Sequence, residues 1–368
     1  MKVGDRHYRT LWADARAGVV HLIDQSLLPH AFETRAVDSM PAMAEAIETM
    51  RVRGAPLIGV AAAFGVALAV GRDGADAALE AALARLRATR PTAVNLAWAL
   101  ERMRRALAGL SPAERPKAAW SRAQDIADED AALNESIGLH GLALIEQAHR
   151  RSGRPVNVLT HCNAGWLATV DWGTALAPVY KAHDAGIPVH VWVDETRPRN
   201  QGLLTAWELA GHGVPHTLVA DNAGGHLMQR GRVDLVLVGA DRVSRRGDVC
   251  NKIGTYLKAL AARDSGVPFY AAVPTPTIDW DVEDAIRDIQ IEERPGEEVR
   301  LVRGLDGERR PGTIEIVPET TAVANPAFDV TPARLVTGIL TERGLFAADE
   351  SALLALLPAD RRSRAFVT

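Results

Sequence analysis

Cysteine is nearly absent from this 368-residue chain, which holds only Cys162 and Cys250. Two thiols cannot staple a disulfide scaffold, so the fold must rest on a hydrophobic core, and a reducing, cytoplasmic setting is expected. His161 and Cys162 adjoin with no second ligand pair near them, so no zinc site is expected. No apolar run reaches the roughly 20 residues of a spanning helix. The longest uncharged stretch, Ala55 to Gly71, is rich in alanine and glycine and reads as a buried core helix. The opening Met1-Lys2-Val3-Gly4-Asp5-Arg6 carries charge without an apolar segment behind it, unlike a secretion signal. Basic residues are not in excess: 42 Lys and Arg face 46 Asp and Glu, a net charge of -4. No global field therefore points to nucleic acid or an anionic membrane. Gly-Lys-Ser/Thr is missing, which removes a Walker loop. No Gly-x-Gly-x-x-Gly follows a strand-like run, which disfavours a dinucleotide. No cofactor is expected.

What is present is ordinary globular material, 47% hydrophobic and 24% charged, enough for two domains. Arg9 to Trp12 and Val19 to Ile23 flank a turn-like Asp14 to Gly18, which predicts a hairpin. Helical patterns follow. One begins at Ser39 with Pro41 and ends near Arg51, and Pro56 suits the first turn of the next, where its missing N–H is not needed. Asp76 to Thr89, with Asp76 as N-cap, Ala93 to Leu110 and Pro116 to Arg150 complete the set. From Pro155 the rhythm changes. Strand-like runs at 155–160, 188–193, 215–220, 233–239 and 267–273 alternate with helix-like segments at 173–185, 201–212, 222–230 and 251–265. That alternation predicts a parallel sheet covered on both faces. The expected class is α/β: a mainly helical N-terminal domain with a small β element over 1–130, then a Rossmann-like parallel-sheet domain over 131–368. The Arg-, Glu-, Gly- and Pro-rich stretch 290–315 predicts an exposed loop or edge hairpin, and Glu350 to Leu357 a last helix.

Ligands in open α/β sheets bind just beyond the carboxyl ends of strands, and two polar clusters fall there. Leu159-Thr160-His161-Cys162-Asn163-Ala164-Gly165 follows one apolar run. Ala164 and Gly165 permit close approach of a ligand, and backbone N–H groups beside Cys162 are expected to favour its thiolate. A buried small hydrophobe is the other reading of Cys162, and the preferred one for Cys250. His161 and Cys162, as neighbours on an extended chain, point to opposite faces and are not expected to form a dyad. Gly239-Ala240-Asp241-Arg242 follows the apolar run at 233–238. Desolvation there would raise the pKa of Asp241 and suit it to general acid work; capping the next helix or pairing with Arg242 is the alternative.

Arg53-Gly54-Ala55-Pro56 sets a guanidinium beside the free N–H groups of a helix start, a cradle for phosphate or else a plain turn with a surface arginine. Arg90-Pro91-Thr92 repeats the pattern, with Thr92 as a cap. Asn251-Lys252-Ile253-Gly254-Thr255 reads as a loop entering a helix, Lys252 suiting a phosphate and Asn251 a sugar hydroxyl. Asp194-Glu195 offers acids to a metal, but Arg197 and Arg199 are expected to neutralise them, and no metal is expected. Gln201, at a helix start, suits a sugar hydroxyl.

In their order along the chain, Arg53-Gly54-Ala55-Pro56, Arg90-Pro91-Thr92, Thr160 to Gly165, Glu195-Thr196-Arg197-Pro198, Asn200-Gln201-Gly202, Gly239-Ala240-Asp241-Arg242 and Asn251 to Tyr256 resemble the methylthioribose-1-phosphate isomerases of methionine salvage. That family shares its fold with regulatory subunits of the translation-initiation guanine-nucleotide exchange factor. The resemblance implies a cofactor-free aldose–ketose isomerase, a cytoplasmic homodimer, that converts 5-methylthioribose 1-phosphate to 5-methylthioribulose 1-phosphate. Phosphate on the anomeric carbon blocks spontaneous opening, so the enzyme must break the ring itself. Asp241 matches the acid proposed to protonate the ring oxygen. Cys162 matches the cysteine assigned to transition-state stabilisation or to moving the C2 hydrogen. Arg53, Gly54, Ala55, Arg90, Gln201, Asn251 and Lys252 match substrate-binding positions. The partner implied is a small sugar phosphate, with neither nucleic acid nor membrane.

Trp166 and Asp171-Trp172-Gly173-Thr174 depart from the smaller residue and the Tyr-Gly-Thr run of the family. These tryptophans either reshape the pocket for the 5-substituent or pack in the core. Two rival readings follow. One keeps the chemistry on another sugar, 5-deoxyribose 1-phosphate or ribose 1,5-bisphosphate. The other is a non-catalytic, sugar-phosphate-binding regulatory subunit, against which the presence of both Cys162 and Asp241 argues.

Overall fold

A computed structural model describes residues 2–357; Met1 and 358–368, the ends of the two expected units, lie outside it. The amino end is a β element. Strands β1 (Lys2–Val3) and β2 (Arg6–His7) pair, and β3 (Leu11–Asp14), β4 (Val19–Ile23) and β5 (Thr34–Val37) form an antiparallel sheet. β3 and β4 are the expected hairpin. β5 was not legible, because three of its four residues are exposed and give no apolar alternation.

Five helices follow: α1 (Met40–Glu48), α2 (Ala55–Arg72), α3 (Asp76–Arg87), α4 (Val94–Leu107) and α5 (Arg115–Ser152). Pro41 and Pro56 occupy first turns, as expected. The two expected caps do not form. Ala75 precedes α3, and the Asp76 carboxylate pairs with the buried Arg115 instead. Ala93, not Thr92, precedes α4, with no side-chain cap. Helix α2 is long and apolar enough to cross a membrane by length and composition. It is instead the centre of the helical core, packed against α1, α3, α4 and α5. Helix α5 runs for 38 residues, and its two halves serve two cores. Ala119, Ala123, Ile126 and Ala127 pack with α2, whereas Ile137, Ile145 and Ala148 pack with the sheet that follows.

The remaining chain forms β6 (Val156–Thr160), β7 (Val189–Asp194), β8 (His216–Val219), β9 (Leu235–Val238), β10 (Arg242–Ser244), β11 (Val249–Lys252), β12 (Phe269–Ala272), β13 (Ile278–Asp279), β14 (Leu301–Leu305), β15 (Pro311–Glu315), β16 (Phe328–Thr331), β17 (Gly338–Thr341) and β18 (Gly344–Phe346). Helices α6 (Ala177–Asp184), α7 (Gly202–His212), α8 (Ala223–Gln229) and α9 (Thr255–Asp264) interleave with them. Seven strands make one sheet in the order β18-β17-β12-β9-β6-β7-β8, parallel except at β18. β9 is buried throughout, as a strand covered on both faces must be. The chain runs outward from β6 to β8, returns to β9 on the other side of β6, and runs outward again. Strand order therefore reverses between β6 and β9, and a crevice at the carboxyl ends of such a pair takes ligands.

A second sheet, β13-β10-β11-β16, was not expected. It corrects one reading: Asn251 and Lys252 lie on strand β11, paired with Asp329 and Phe328 of β16, rather than in a loop. Stretch 290–315 does contain an edge hairpin, β14 with β15, the latter exposed along its whole length.

Candidate active site

Arg53, Gly54, Ala55, Arg90, Cys162, Gln201, Asp241, Asn251 and Lys252 all line one cavity of about 70 Å³ at the reversal point. None of the nine expected site residues falls elsewhere. Asn163, Thr174 and Phe328 join the wall. A neighbouring cavity of about 480 Å³ shares Met50, Arg53 and Gln201 with it but carries neither Cys162 nor Asp241.

Local backbone explains the convergence. Cys162 leaves β6 with φ 69°, a left-handed turn that breaks the strand's alternation. Its N–H donates to Thr196 Oγ at 2.8 Å. His161, fully buried, has Nδ1 at 3.0 Å from Asp194 Oδ2 and Nε2 at 2.8 Å from the Ile253 carbonyl. Both ring nitrogens are committed away from Cys162. Gly54, with φ 101°, brings the Arg53 loop against the turn at Ala168; a Cβ there would lie 2.5 Å from the Ala168 Cα.

Arg53 is held from one side by Asn163. Its Nη1 donates to Asn163 Oδ1, and its Nη2 to the Asn163 carbonyl at 2.8 Å. Arg90 lies 3.5 Å from Glu292. Glu292 joins a chain of ion pairs through Arg294 and Glu298 to Arg199. Lys252 is buried with its ammonium 4.6 Å from the Phe328 ring centroid. Gln201 lines the cavity, is buried, and has an Oε1 with no protein donor.

Asp241 neither caps a helix nor pairs with Arg242. It sits between β9 and β10, with its N–H donating to the Cys250 carbonyl at 3.0 Å, and Arg242 pairs with Asp279 at 3.3 Å. Burial pushes the Asp241 carboxyl above its ordinary range, with Lys252, Arg90 and Arg53 pulling the other way. Burial also pushes the Cys162 thiol up, against Arg53 and Lys252. This corrects the expectation of a thiolate: the Asn163 N–H acts in the expected direction but is the smallest influence. Lys252 is pushed down by the same burial.

Some charge partners differ from those expected. Asp194 is balanced by Lys258 at 3.2 Å, while Arg199 pairs with Glu298 and Arg197 binds the carbonyls of Pro198 and Val299. His161, Asp194 and Asp221 bring ligand-type atoms within 4.8 Å of one another, but the Lys258 ammonium is already seated on the Asp194 carboxylate. Neither tryptophan lines the cavity. Trp166 is fully buried and stacks on Trp207 at 6.0 Å, and Trp172 lies under the Lys181 ammonium at 3.6 Å. Packing is their role. Sequence reasoning missed Glu292 and Glu208; Glu208 stands behind Asn163.

Residues 51–348, a span holding all nine expected site residues, match the Initiation factor 2 subunit family. The chain belongs to this family. Within it, a methylthioribose-1-phosphate isomerase of Rhodospirillum centenum is 60% identical over 368 residues, covering 99% of this chain and 98% of that protein. The crystal structure of 5-methylthioribose 1-phosphate isomerase from Pyrococcus horikoshii OT3 matches with a TM-score of 0.81 and 40% identity, over 95% of this chain and 96% of that one. The crystal structure of translation initiation factor eIF-2B, subunit delta, from A. fulgidus matches with a TM-score of 0.75, also at 40% identity, over 93% and 96% of the two chains. The expected kinship with the methylthioribose-1-phosphate isomerases is borne out.

Proposed function

We propose that this protein isomerises 5-methylthioribose 1-phosphate to 5-methylthioribulose 1-phosphate in methionine salvage. One observation carries the reading: Cys162 and Asp241, from the two strands that flank the reversal, line a single cavity with Arg53, Arg90 and Lys252. Relatives named as isomerases support it. A curated isomerase is 60% identical along the whole chain, against 40% for the initiation-factor subunit, which favours the enzyme over a regulatory subunit. A pure binding module needs neither a buried sulfur nor a buried acid.

The chemistry follows from the charges. Arg53, Arg90 and Lys252 grip the phosphate. Asp241, kept protonated by burial, donates to the ring oxygen as the C1–O bond breaks. The C2 hydrogen then moves to C1, and the 2-hydroxyl proton leaves as C2 becomes a carbonyl. The Asp241 carboxylate made in the first step takes a proton back, so none is gained or lost overall. A thiol whose pKa is pushed up by burial is seldom the thiolate that proton abstraction needs, which favours a hydride shift past Cys162. The larger cavity adjoins across Met50 and Gln201 and offers room for the 5-substituent.

Finer expectations belong to the same proposal: a Rossmann-like sheet, units at 1–130 and 131–368, a cytoplasmic location and a homodimer. Turnover of methylthioribose 1-phosphate by wild type, Cys162→Ser and Asp241→Asn tests the core claim. Equal rates in all three would refute it. In heavy water, a hydride shift leaves the substrate's own C2 hydrogen at C1 of the product; solvent deuterium at C1 would restore Cys162 as a base. Sedimentation equilibrium tests the dimer.

A further inference from the structure

Glu208 is buried on α7 and is not part of the cavity wall, yet its carboxylate receives four donors. Asn163 Nδ2 and the Leu167 N–H reach Oε1, each at 2.9 Å. The Trp166 N–H reaches Oε2 at 2.7 Å, and the Tyr180 hydroxyl at 2.9 Å. All four donate, so the geometry fits the ionised form, and these hydrogen bonds oppose the burial that pushes the carboxyl above its ordinary range. No cation pairs with it among the described residues. A buried charge without a counter-ion is a poor choice for stability alone.

Its geometric effect falls on Asn163. That amide has one permitted orientation. Nδ2 donates to Glu208 and, at 3.2 Å, to Thr205 Oγ. The Thr205 hydroxyl itself donates to the Cys162 carbonyl at 2.8 Å, so toward Asn163 it can only accept. Oδ1 is thereby turned to Arg53, and the Asn163 carbonyl takes the second guanidinium nitrogen. Gln201, Thr205 and Glu208, spaced by four and three residues, stand on one face of the helix. The approach is close: a Cβ on Gly165 would lie 2.0 Å from Glu208 Oε2.

We propose that Glu208 is a positioning residue: through the Asn163 amide it fixes the orientation in which Arg53 meets the substrate's phosphate. This rests on the reading of Arg53 as a phosphate ligand. Glu208→Gln keeps the size but turns an N–H₂ toward donors. The expected result is a KM for methylthioribose 1-phosphate at least tenfold higher, and an equal rise in the inhibition constant of inorganic phosphate. The value of kcat should stay within threefold. A role in folding alone would lower the active fraction, and so kcat, with KM and the phosphate constant unchanged.

Reversing the hydrogen bond supplies the second arm. Glu208→Gln combined with Asn163→Asp lets the new amide donate to the new carboxylate, whose other oxygen faces Arg53. Phosphate binding should recover at least threefold over Glu208→Gln, a non-additive result. If Glu208→Gln alone does not fold, the exchanged pair is compared with Asn163→Asp instead. No recovery in the exchanged pair overturns the proposal. Arg53→Ala separates the two claims. Should it leave KM and the phosphate constant unchanged, the phosphate reading of Arg53 falls and this proposal with it. Should it raise both while Glu208→Gln raises neither, only the positioning role falls.

Discussion

Replacing Gly54 by alanine puts two independent penalties on one atom. Gly54 holds φ 101° and ψ 135°, a region in which a side chain costs about 1–3 kcal/mol. The added Cβ would also stand 2.5 Å from the Ala168 Cα and carbonyl oxygen and 2.7 Å from its Cβ. Those atoms belong to a packed turn, not to the tip of a flexible side chain, so they cannot swing aside. Overpacking of that kind costs about 1–3 kcal/mol. The expected loss for Gly54→Ala is therefore about 2–6 kcal/mol. Urea unfolding at constant m measures it as a fall in the midpoint. Relief requires residues 53–55 to back away from Ala168, which pulls the Arg53 guanidinium off Asn163. A KM at least tenfold higher should accompany the lost stability. Less than about 1 kcal/mol lost, with KM within twofold of wild type, would refute the reasoning.

Asp241→Asn should lower kcat by about 10²–10⁴-fold, the usual worth of a positioned acid. Because burial raises the Asp241 pKa, its acid form is present below that pKa and lost above it. The wild-type kcat should fall on the alkaline side, and the residual rate of Asp241→Asn should not show that limb. Asp130, whose Oδ2 accepts the Val170 N–H at 2.7 Å, is pushed up from the ordinary 3.8 to about 7 by burial. The folded protein then binds more protons between those values, so this contribution is full below 3.8 and lost as pH rises through 7. It amounts to about 4 kcal/mol at most, and Asp130→Asn should flatten that part of a stability-against-pH curve. Trp166→Leu should cost about 1–3 kcal/mol in urea and leave the ranking of 5-substituents unchanged; an altered ranking would put Trp166 at the substrate.

The strand-end clusters were legible because apolar runs stop sharply at Thr160 and Val238, and polar residues at such stops meet in one crevice whatever else the chain does. The small sheet holding Asn251 and Lys252 was not. Its strands are two to four residues long, mix Arg242 and Lys252 with valines, and, apart from the β10–β11 hairpin, pair with partners distant in sequence. Asp76 and Thr92 had the chemistry of caps, but Arg115 offered Asp76 a stronger partner from far along the chain. The thiolate expected at Cys162 came from counting neighbours along the backbone, whereas burial is a property of the assembled core. Glu208 hides in a helix of Leu203, Leu204, Trp207 and Leu209, where one acid reads as a solvent-facing residue. Its spacing from Gln201 and Thr205 was the available signal, and only the turn at 163–167 gives it meaning.

Helix α2 has a consequence for synthesis. Of the helices that enclose it, only α1 precedes it; the covering part of α5 extends to about Ala131. At roughly 5–20 residues per second, the ribosome needs roughly 3–12 seconds to pass from Arg72 to Ala131. Through that interval a segment with the make-up of a membrane anchor is only partly covered on a growing chain. Slow codons placed between positions 73 and 131 should therefore reduce soluble yield while leaving the finished molecule unchanged.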